Sequence, residues 1–167
     1  MEKLLEIEKA RSLTYYLLSK TFSYPTNSLI EEGYVEHLEK LLPLLVENTE
    51  VKLVEMNNSL NNLEVTKELQ LDYSALFIGP KTLLAPPYGS VYLESKREIM
   101  GESTMDVIRL MNEAGVKKVE TFKEPQDHIR IELEFIHYLI EKAIEGLEKK
   151  DWEVAEKIYK ATRGVFK

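Results

Sequence analysis

From Ile129 to Leu147 apolar residues recur at helical spacing, and this pattern limits the fold more than any other stretch. Ile129, Leu133, Ile136, Ile140, Ala143, Ile144 and Leu147 fall on one stripe, while Glu132, Glu141, Glu145 and Glu148 fall mostly off it. Such a period fits an amphipathic helix and excludes a strand. The spacing predicts a helix from Arg130 to about Lys150, opened by Glu124-Pro125-Gln126-Asp127-His128-Ile129. Proline suits a first helical turn, because its missing N–H is one of the donors that a helix start leaves unpaired. Asp127 is expected to accept from the free N–H groups there and to favour the positive end of the helix dipole. A well-capped helix would explain the stretch without His128. Its imidazole titrates near working pH and makes it a candidate functional residue.

The rest of the chain repeats the helical signal. Residues 3–22 carry an apolar stripe of Leu4, Ile7, Leu13, Leu17 and Leu18, broadened by Tyr15, Tyr16 and Phe22, and Tyr24-Pro25 ends it. Ser28 with Glu31 has the form of a capping box, so a short helix is predicted there. Gly33 interrupts it. Tyr34, Leu38, Leu41, Leu42 and Leu45 continue with helical spacing, and Pro43 should bend or end that element. A weaker helix is predicted over 49–63 and a clear one from Val65 to Phe77, stopped by Gly79-Pro80. Residues 80–89, with three prolines and a glycine, are expected as an irregular apolar loop lying against the helices. Helices are predicted from Ser90 to Met100 and from Ser103 through Met111 with Gly115 as C-cap, then a connector over Val116–Phe122 and a last segment from Trp152 to Phe166. Strands do not alternate with helices, and no repeat is present. The reading is a single all-α domain, a helical bundle over residues 1–167.

Composition narrows the function. At 167 residues, 44% hydrophobic and 31% charged, the chain suits one globular domain with a core of its own. It has no cysteine, which removes disulfides, thiol catalysis and Cys-ligated metal. A net charge of −7 and a pI of about 5.2 argue against nucleic acid, since no basic stripe is available to displace phosphate counterions. No apolar run reaches membrane-span length, and the acidic N-terminus does not look like a secretory signal, so membrane insertion is not expected and a cytoplasmic protein is.

Catalytic motifs are scarce. There is no Gly-rich phosphate loop and no Gly-x-Ser-x-Gly elbow. His128 and Glu132, four apart on one helix face with Asp127 nearby, could in principle serve a metal, and equally a capped helix with a surface pair. Glu134-x-x-His137 matches half of a di-iron bundle site, but with three histidines in the chain there is no second copy, which leaves His137 structural or half-exposed. Tyr73-Ser74-Ala75-Leu76-Phe77, taken singly, is a core stripe, and Pro86-Pro87-Tyr88 a stiff loop with an aromatic anchor.

Taken in order, these pieces form a series. Tyr73-x-x-Leu76-Phe77, then Pro87-Tyr88 with Ser90 and Tyr92, then Pro125-x-Asp127-His128-Ile129 before a long helix resembles the TorD/DmsD/NarJ family of redox enzyme maturation chaperones. Leu17-Leu18 through Tyr24-Pro25 is similar to that family's first helix and its stop. The resemblance implies a TorD-like all-helical fold and a non-catalytic role in the cytoplasm, with no metal or cofactor of the chain's own. The implied partner is the twin-arginine signal peptide, or the apo form, of a molybdopterin oxidoreductase, held during cofactor insertion and before export. The alternatives are an assembly chaperone or helical adaptor for a nitrate-reductase-like enzyme without signal-peptide binding, and a small metal hydrolase built on Asp127, His128 and Glu132.

Carried over by position, the peptide-binding candidates are Tyr73, Leu76, Phe77, Pro87, Tyr88, Gly101, Pro125, Asp127 and His128. An apolar groove from Leu76, Phe77 and Tyr88 would suit the middle of a signal peptide, and Asp127 could pair with an arginine. Whether Asp127 and His128 touch the peptide or only shape the groove is open at this level. Two departures stand out: Gln126 within the turn, and Gly89 where the family commonly has an acid, which should loosen that loop. Residues 161–167 look like the start of an element that the family continues, so closure of the groove by a second copy, as a homodimer, is a further expectation.

Overall fold

The computed structural model describes residues 1–46, 55, 67–79, 83–162 and 165. Its helices in chain order are α1 (Glu2–Thr21), α2 (Ser28–Glu31), α3 (Tyr34–Leu45), α4 (Lys67–Tyr73), α5 (Gly89–Leu93), α6 (Glu102–Glu113), α7 (Ile129–Glu148) and α8 (Trp152–Thr162). A π-helical stretch, Ser74–Ile78, extends α4. Among the described residues there is no strand, only an isolated antiparallel bridge between Tyr88 and His128. The chain is all-α, as its periodicity predicts. Apart from Glu55, which is helical, the helix predicted over 49–63 lies outside the described residues, as does the start of the one at Val65.

The predicted stripe makes α7 the centre of the molecule. It packs along α1 and α8, and α1 packs along α3. Ile131, Phe135, Ile136, Leu139, Ile140 and Ile144 of α7 form one buried cluster with Val107 and Met111 of α6. Ile136 and Ile140 are 2% and 1% exposed, so truncating either to alanine should cost about 2–5 kcal/mol. A smaller cluster joins Leu17 of α1 to Leu38 of α3. Gly146 sets how closely α8 approaches: a Cβ there would stand 3.3 Å from both the Ala155 nitrogen and the Asp151 oxygen. The Asp151 N–H donates to the Gly146 carbonyl at 2.8 Å, and its carboxylate then caps α8 by accepting from Val154 N–H at 3.1 Å. At the other end of the core, Gly115 at φ +74° ends α6, with Val116 N–H returning to Met111 O at 2.9 Å.

Four expectations need correction, in whole or in part. Only part of the apolar stripe read on α1 packs on the bundle: Leu17 is buried and Tyr15, Tyr16 and Leu18 pack against the core, but Leu4, Ile7 and Leu13 are exposed. The buried positions are Glu8, Ala10, Ser12, Thr14, Leu17 and Ser19. Small residues allow a close approach to α7, and the buried polar groups find partners across and along the helix. Glu8 pairs with Arg11 at 2.8 Å, and Ser12 donates to Glu141. His137 Nδ1 lies 2.8 Å from Ser12 Oγ and 3.1 Å from the Ser12 carbonyl, which can only accept, so Nδ1 carries the proton.

The helix predicted from Ser90 to Met100 stops at Leu93. Glu94 turns out of it to accept from the Ser103 N–H and hydroxyl, each at 2.9 Å, at the head of α6, and Arg97 and Met100 adopt positive φ. Gly89, expected to loosen its loop, is instead the first residue of α5, with its N–H bonded to the Asp127 carbonyl at 2.9 Å. The loop before it lies down only in part: Pro87 and Tyr88 are buried, but Leu84 is exposed.

Candidate functional site

Backbone pairing brings the two motif loops together. Gly89 N–H donates to Asp127 O at 2.9 Å and Ile129 N–H to Pro87 O at 2.8 Å, so Pro87-Tyr88-Gly89 lies antiparallel to Asp127-His128-Ile129. Extended backbone points successive side chains to opposite sides. Tyr88 and His128 therefore meet on one side, ring centroids 5.4 Å apart, with Phe122 5.8 Å from His128. The Tyr88 hydroxyl donates to Glu124 at 2.5 Å, and Arg130 stacks over Phe122 at 5.0 Å.

A second aromatic group faces them. Where α4 passes into the π-helical stretch, Gly79 N–H closes the wide turn on Ser74 O at 2.6 Å. Such turns are rare and concentrate at functional sites. Tyr73 and Phe77 rings lie 4.9 Å apart, with Tyr24 5.6 Å from Tyr73 and Phe22 6.1 Å from Phe77. The Tyr73 hydroxyl donates to Phe22 O at 2.9 Å and ties the group to the end of α1. Between the two aromatic groups is a cleft of about 200 Å³, lined by Phe22, Tyr24, Tyr73, Phe77, Tyr88, Phe122 and His128 and by the charged pair Glu124 and Arg130.

The electrostatics favour neutral rings. Burial holds the His128 imidazole below its ordinary 6.5, against the pull of Glu124, so it is neutral at pH 7. Burial, and then its bond to Glu124, pushes the Tyr88 hydroxyl up, and burial also raises Tyr73. The cleft thus offers aromatic faces, one acid and one base, and no activated nucleophile. Among the described residues no three acids or histidines stand close enough to hold a metal ion.

Four of the nine sequence candidates line this cleft: Tyr73, Phe77, Tyr88 and His128. Pro87 and Pro125 support it from behind through carbonyls that accept from Ile129 and His128. Leu76 is exposed and does not line it, although its carbonyl holds Ala85 at 2.9 Å. Gly101 is the N-cap of α6, packed on the Glu94 side chain. Asp127 differs most from expectation. Only 1% exposed, it accepts from Ser90 N–H at 2.9 Å and so caps α5 rather than α7. The cap of α7 is His128, whose Nδ1 accepts from Arg130 N–H at 3.1 Å, a role for which the imidazole seemed unnecessary. Phe22, Phe122, Glu124 and Arg130 were not singled out as binding residues. Their only sequence signal is that each flanks a motif, Tyr24-Pro25 or Pro125-x-Asp127-His128.

With this geometry in hand, comparison with known proteins is informative. The nitrate reductase delta subunit family matches residues 33–167. The chain belongs to that family. Its curated relatives include the chaperone protein TorD of Aliivibrio salmonicida, 29% identical over 147 residues that cover 84% of this chain and 68% of that one. TorD of Vibrio cholerae is 31% identical over 138 residues, 79% of this chain and 62% of that one. The Tat proofreading chaperone DmsD of Salmonella typhi is 39% identical over 56 residues, 34% and 28% of the two chains. These delta-subunit relatives are named as chaperones, not enzymes. A redox enzyme maturation protein from Archaeoglobus fulgidus has the same fold, with a TM-score of 0.59 and 24% identity over 93% of this chain and 94% of that one.

Proposed function

We propose that this chain is a cytoplasmic chaperone for a molybdopterin oxidoreductase, and that it binds the enzyme's twin-arginine signal peptide in the aromatic cleft. The observation that carries the reading is that cleft: two aromatic groups from separate motifs, Tyr73 with Phe77 and Tyr88 with His128, face each other across about 200 Å³. That volume takes two or three apolar side chains of an extended or helical peptide, while Glu124 and Arg130 give polar ends for its backbone or charges. The named chaperone relatives support the same reading, and no group in the cleft is poised for catalysis. No described helix is long and apolar enough to cross a membrane.

The test is titration calorimetry of the chain with a synthetic twin-arginine signal peptide from a molybdoenzyme of the source organism. A Phe77→Ala variant should bind at least about tenfold more weakly, since a buried aromatic anchor is commonly worth 2 kcal/mol or more. Equal affinity of the variant and the parent would remove the cleft from the reading. The family's description as a nitrate reductase delta subunit favours one second reading, an assembly chaperone that holds the apo enzyme without a signal peptide. Capture of the apo enzyme with no affinity for any signal peptide would decide for it. A homodimer that completes the groove would give a peptide stoichiometry set by the dimer, which light scattering with and without peptide can measure.

A further inference from the structure

Next to the aromatic cleft is a second cavity of about 260 Å³, bordered by α5, α6 and α7, in which carboxylates dominate: Glu94, Glu102, Asp106 and Glu132. Among the described residues, no lysine, arginine or histidine lines it. Three of these acids have other engagements or open access. Glu94 accepts from the Ser103 N–H and hydroxyl, Asp106 pairs with Arg109 at 2.8 Å, and Glu102 is exposed. Glu132 is different. It is 8% exposed, lines the cavity from the first turn of α7, and receives no hydrogen bond from any described residue. Gly89 borders it: a Cβ there would stand in ordinary contact, 3.6 Å from Glu132 Oε1. Beside it the buried Asp127 Oδ1 has no hydrogen-bond partner among the described residues, although the other oxygen holds Ser90.

We propose that this cavity is the receptor for a basic side chain of the bound peptide, a guanidinium by preference, with Glu132 as its buried counter-ion. The proposal rests on the peptide-binding reading above. A largely buried carboxylate with no donor among the described residues is costly to ionise, and a cationic partner offsets that desolvation better than a neutral one. A bare metal ion does not fit, because no three described acids or histidines converge to hold one. A guanidinium does, because its five N–H donors are spread over a planar fork and can reach carboxylates that stand apart. The cavity has the size of a side chain rather than an ion. The two sites share one loop: Tyr88 lines the cleft and its neighbour Gly89 lines this cavity, so a peptide that rounds that loop could present its apolar part to the rings and a basic side chain to the acids.

Among the described residues, the titratable groups around Glu132 are Asp127 from the loop before α7, Glu94 after α5, and Glu102 and Asp106 on α6. Burial, and then the nearness of Asp127, pushes its carboxyl up to about 7, so near neutrality it is partly protonated. An arriving cation must drive that proton off, which gives a readout specific to this side chain.

The decisive experiment is a carboxyl ¹³C NMR titration of Glu132 in the wild-type chain with argininamide, and with glutaminamide as control. Argininamide carries the guanidinium without any apolar segment, so the outcome does not depend on the cleft. Saturating argininamide should lower the Glu132 midpoint by about one unit or more, as a close opposite charge does, and glutaminamide should leave it unmoved. A midpoint unchanged by argininamide, or moved equally by both compounds, overturns the proposal even if a signal peptide binds the cleft. A lowered midpoint with no peptide binding would instead uphold the cation site and count against the signal-peptide reading. In the full peptide, Glu132→Gln should weaken binding of the Arg-Arg form at least about tenfold and leave a Gln-Gln form unaffected. Equal loss for both forms would also overturn the assignment.

Discussion

Replacing Glu132 by glutamine should stabilise the protein, and by an amount that grows with pH. The sign follows from which state holds the proton. In the unfolded chain the carboxyl titrates near its ordinary 4.5, whereas in the fold burial and Asp127 raise it to about 7. Between those values the folded state keeps a proton that the unfolded state has lost, so wild-type stability falls as pH rises through this window. Below about 4.5 both states are neutral and Glu132 costs nothing. Above about 7 both are ionised and the full penalty stands. A rise from 4.5 to about 7 corresponds to about 3 kcal/mol, at roughly 1.4 kcal/mol per unit. Glutamine has nearly the same shape and no titration, so it removes the slope.

The assay is urea unfolding of both proteins at closely spaced pH from about 4 to 9, with the linear dependence on denaturant extrapolated to water. The stability difference, Glu132→Gln minus wild type, should climb by about 3 kcal/mol across the series and level off above about pH 8. In a chain of this size that corresponds to roughly 6–12 °C in melting temperature at the alkaline end. All other titrating groups are common to the two proteins and cancel in the difference. A constant difference across the series would refute the reasoning, since it would mean that the carboxyl ionises in the fold as easily as in water.

Two further perturbations follow from the site. His128→Ala removes the cap on Arg130 N–H and the ring contacts with Tyr88 and Phe122, and should cost about 2–3 kcal/mol in urea unfolding, with His128→Asn recovering the cap but not the rings. Because burial holds the wild-type imidazole below 6.5, the unfolded chain takes the proton first, so wild type also loses stability as pH falls below 6.5, and the Asn variant lacks that loss. Gly101→Ala would put a Cβ 2.5 Å from the Glu94 side chain and push it off Ser103. Its melting temperature should fall, and adding Glu94→Ala should lower it no further, which a double-mutant cycle measures.

The sequence carried the fold better than the site, and particular residues say why. The α7 stripe was legible because a central helix buries a wide apolar face, so period and burial agree. On α1 they disagree: Leu4, Ile7 and Leu13 mark the more hydrophobic face, but Ser12 and Glu8 are buried because their partners, His137, Glu141 and Arg11, lie in reach. Pairing overrides hydropathy there, and the partners of Ser12 lie on another helix, where the sequence of α1 cannot show them. Ser90–Met100 failed for a related reason, since Glu94 is more useful as a distant cap on Ser103 than as a helical residue. Asp127 has the right chemistry for a cap, but the N–H it holds belongs to Ser90, 37 positions earlier in the chain. Phe22, Phe122, Glu124 and Arg130 belong to the cleft only because tertiary contacts bring them there.

The short bridge between Tyr88 and His128 explains why the two motif loops hold two different environments at once. Extended backbone sends neighbouring side chains to opposite sides. Tyr88 and His128 go to the aromatic cleft, while Gly89 and Asp127 go toward the acid cavity and the start of α5. One pair of backbone hydrogen bonds therefore joins the two loops that border an apolar site and an acidic site. Asp127 strengthens that coupling from inside: by holding Ser90 it fixes where α5 begins, and Gly89 at that start borders Glu132. Its buried carboxylate is thus better placed to position the cavity wall than to meet a ligand. A peptide that presents apolar and basic groups at the matching spacing would engage both sites together and gain an effective-concentration advantage over either half alone. A peptide with the same groups at another spacing would have to give up one of them.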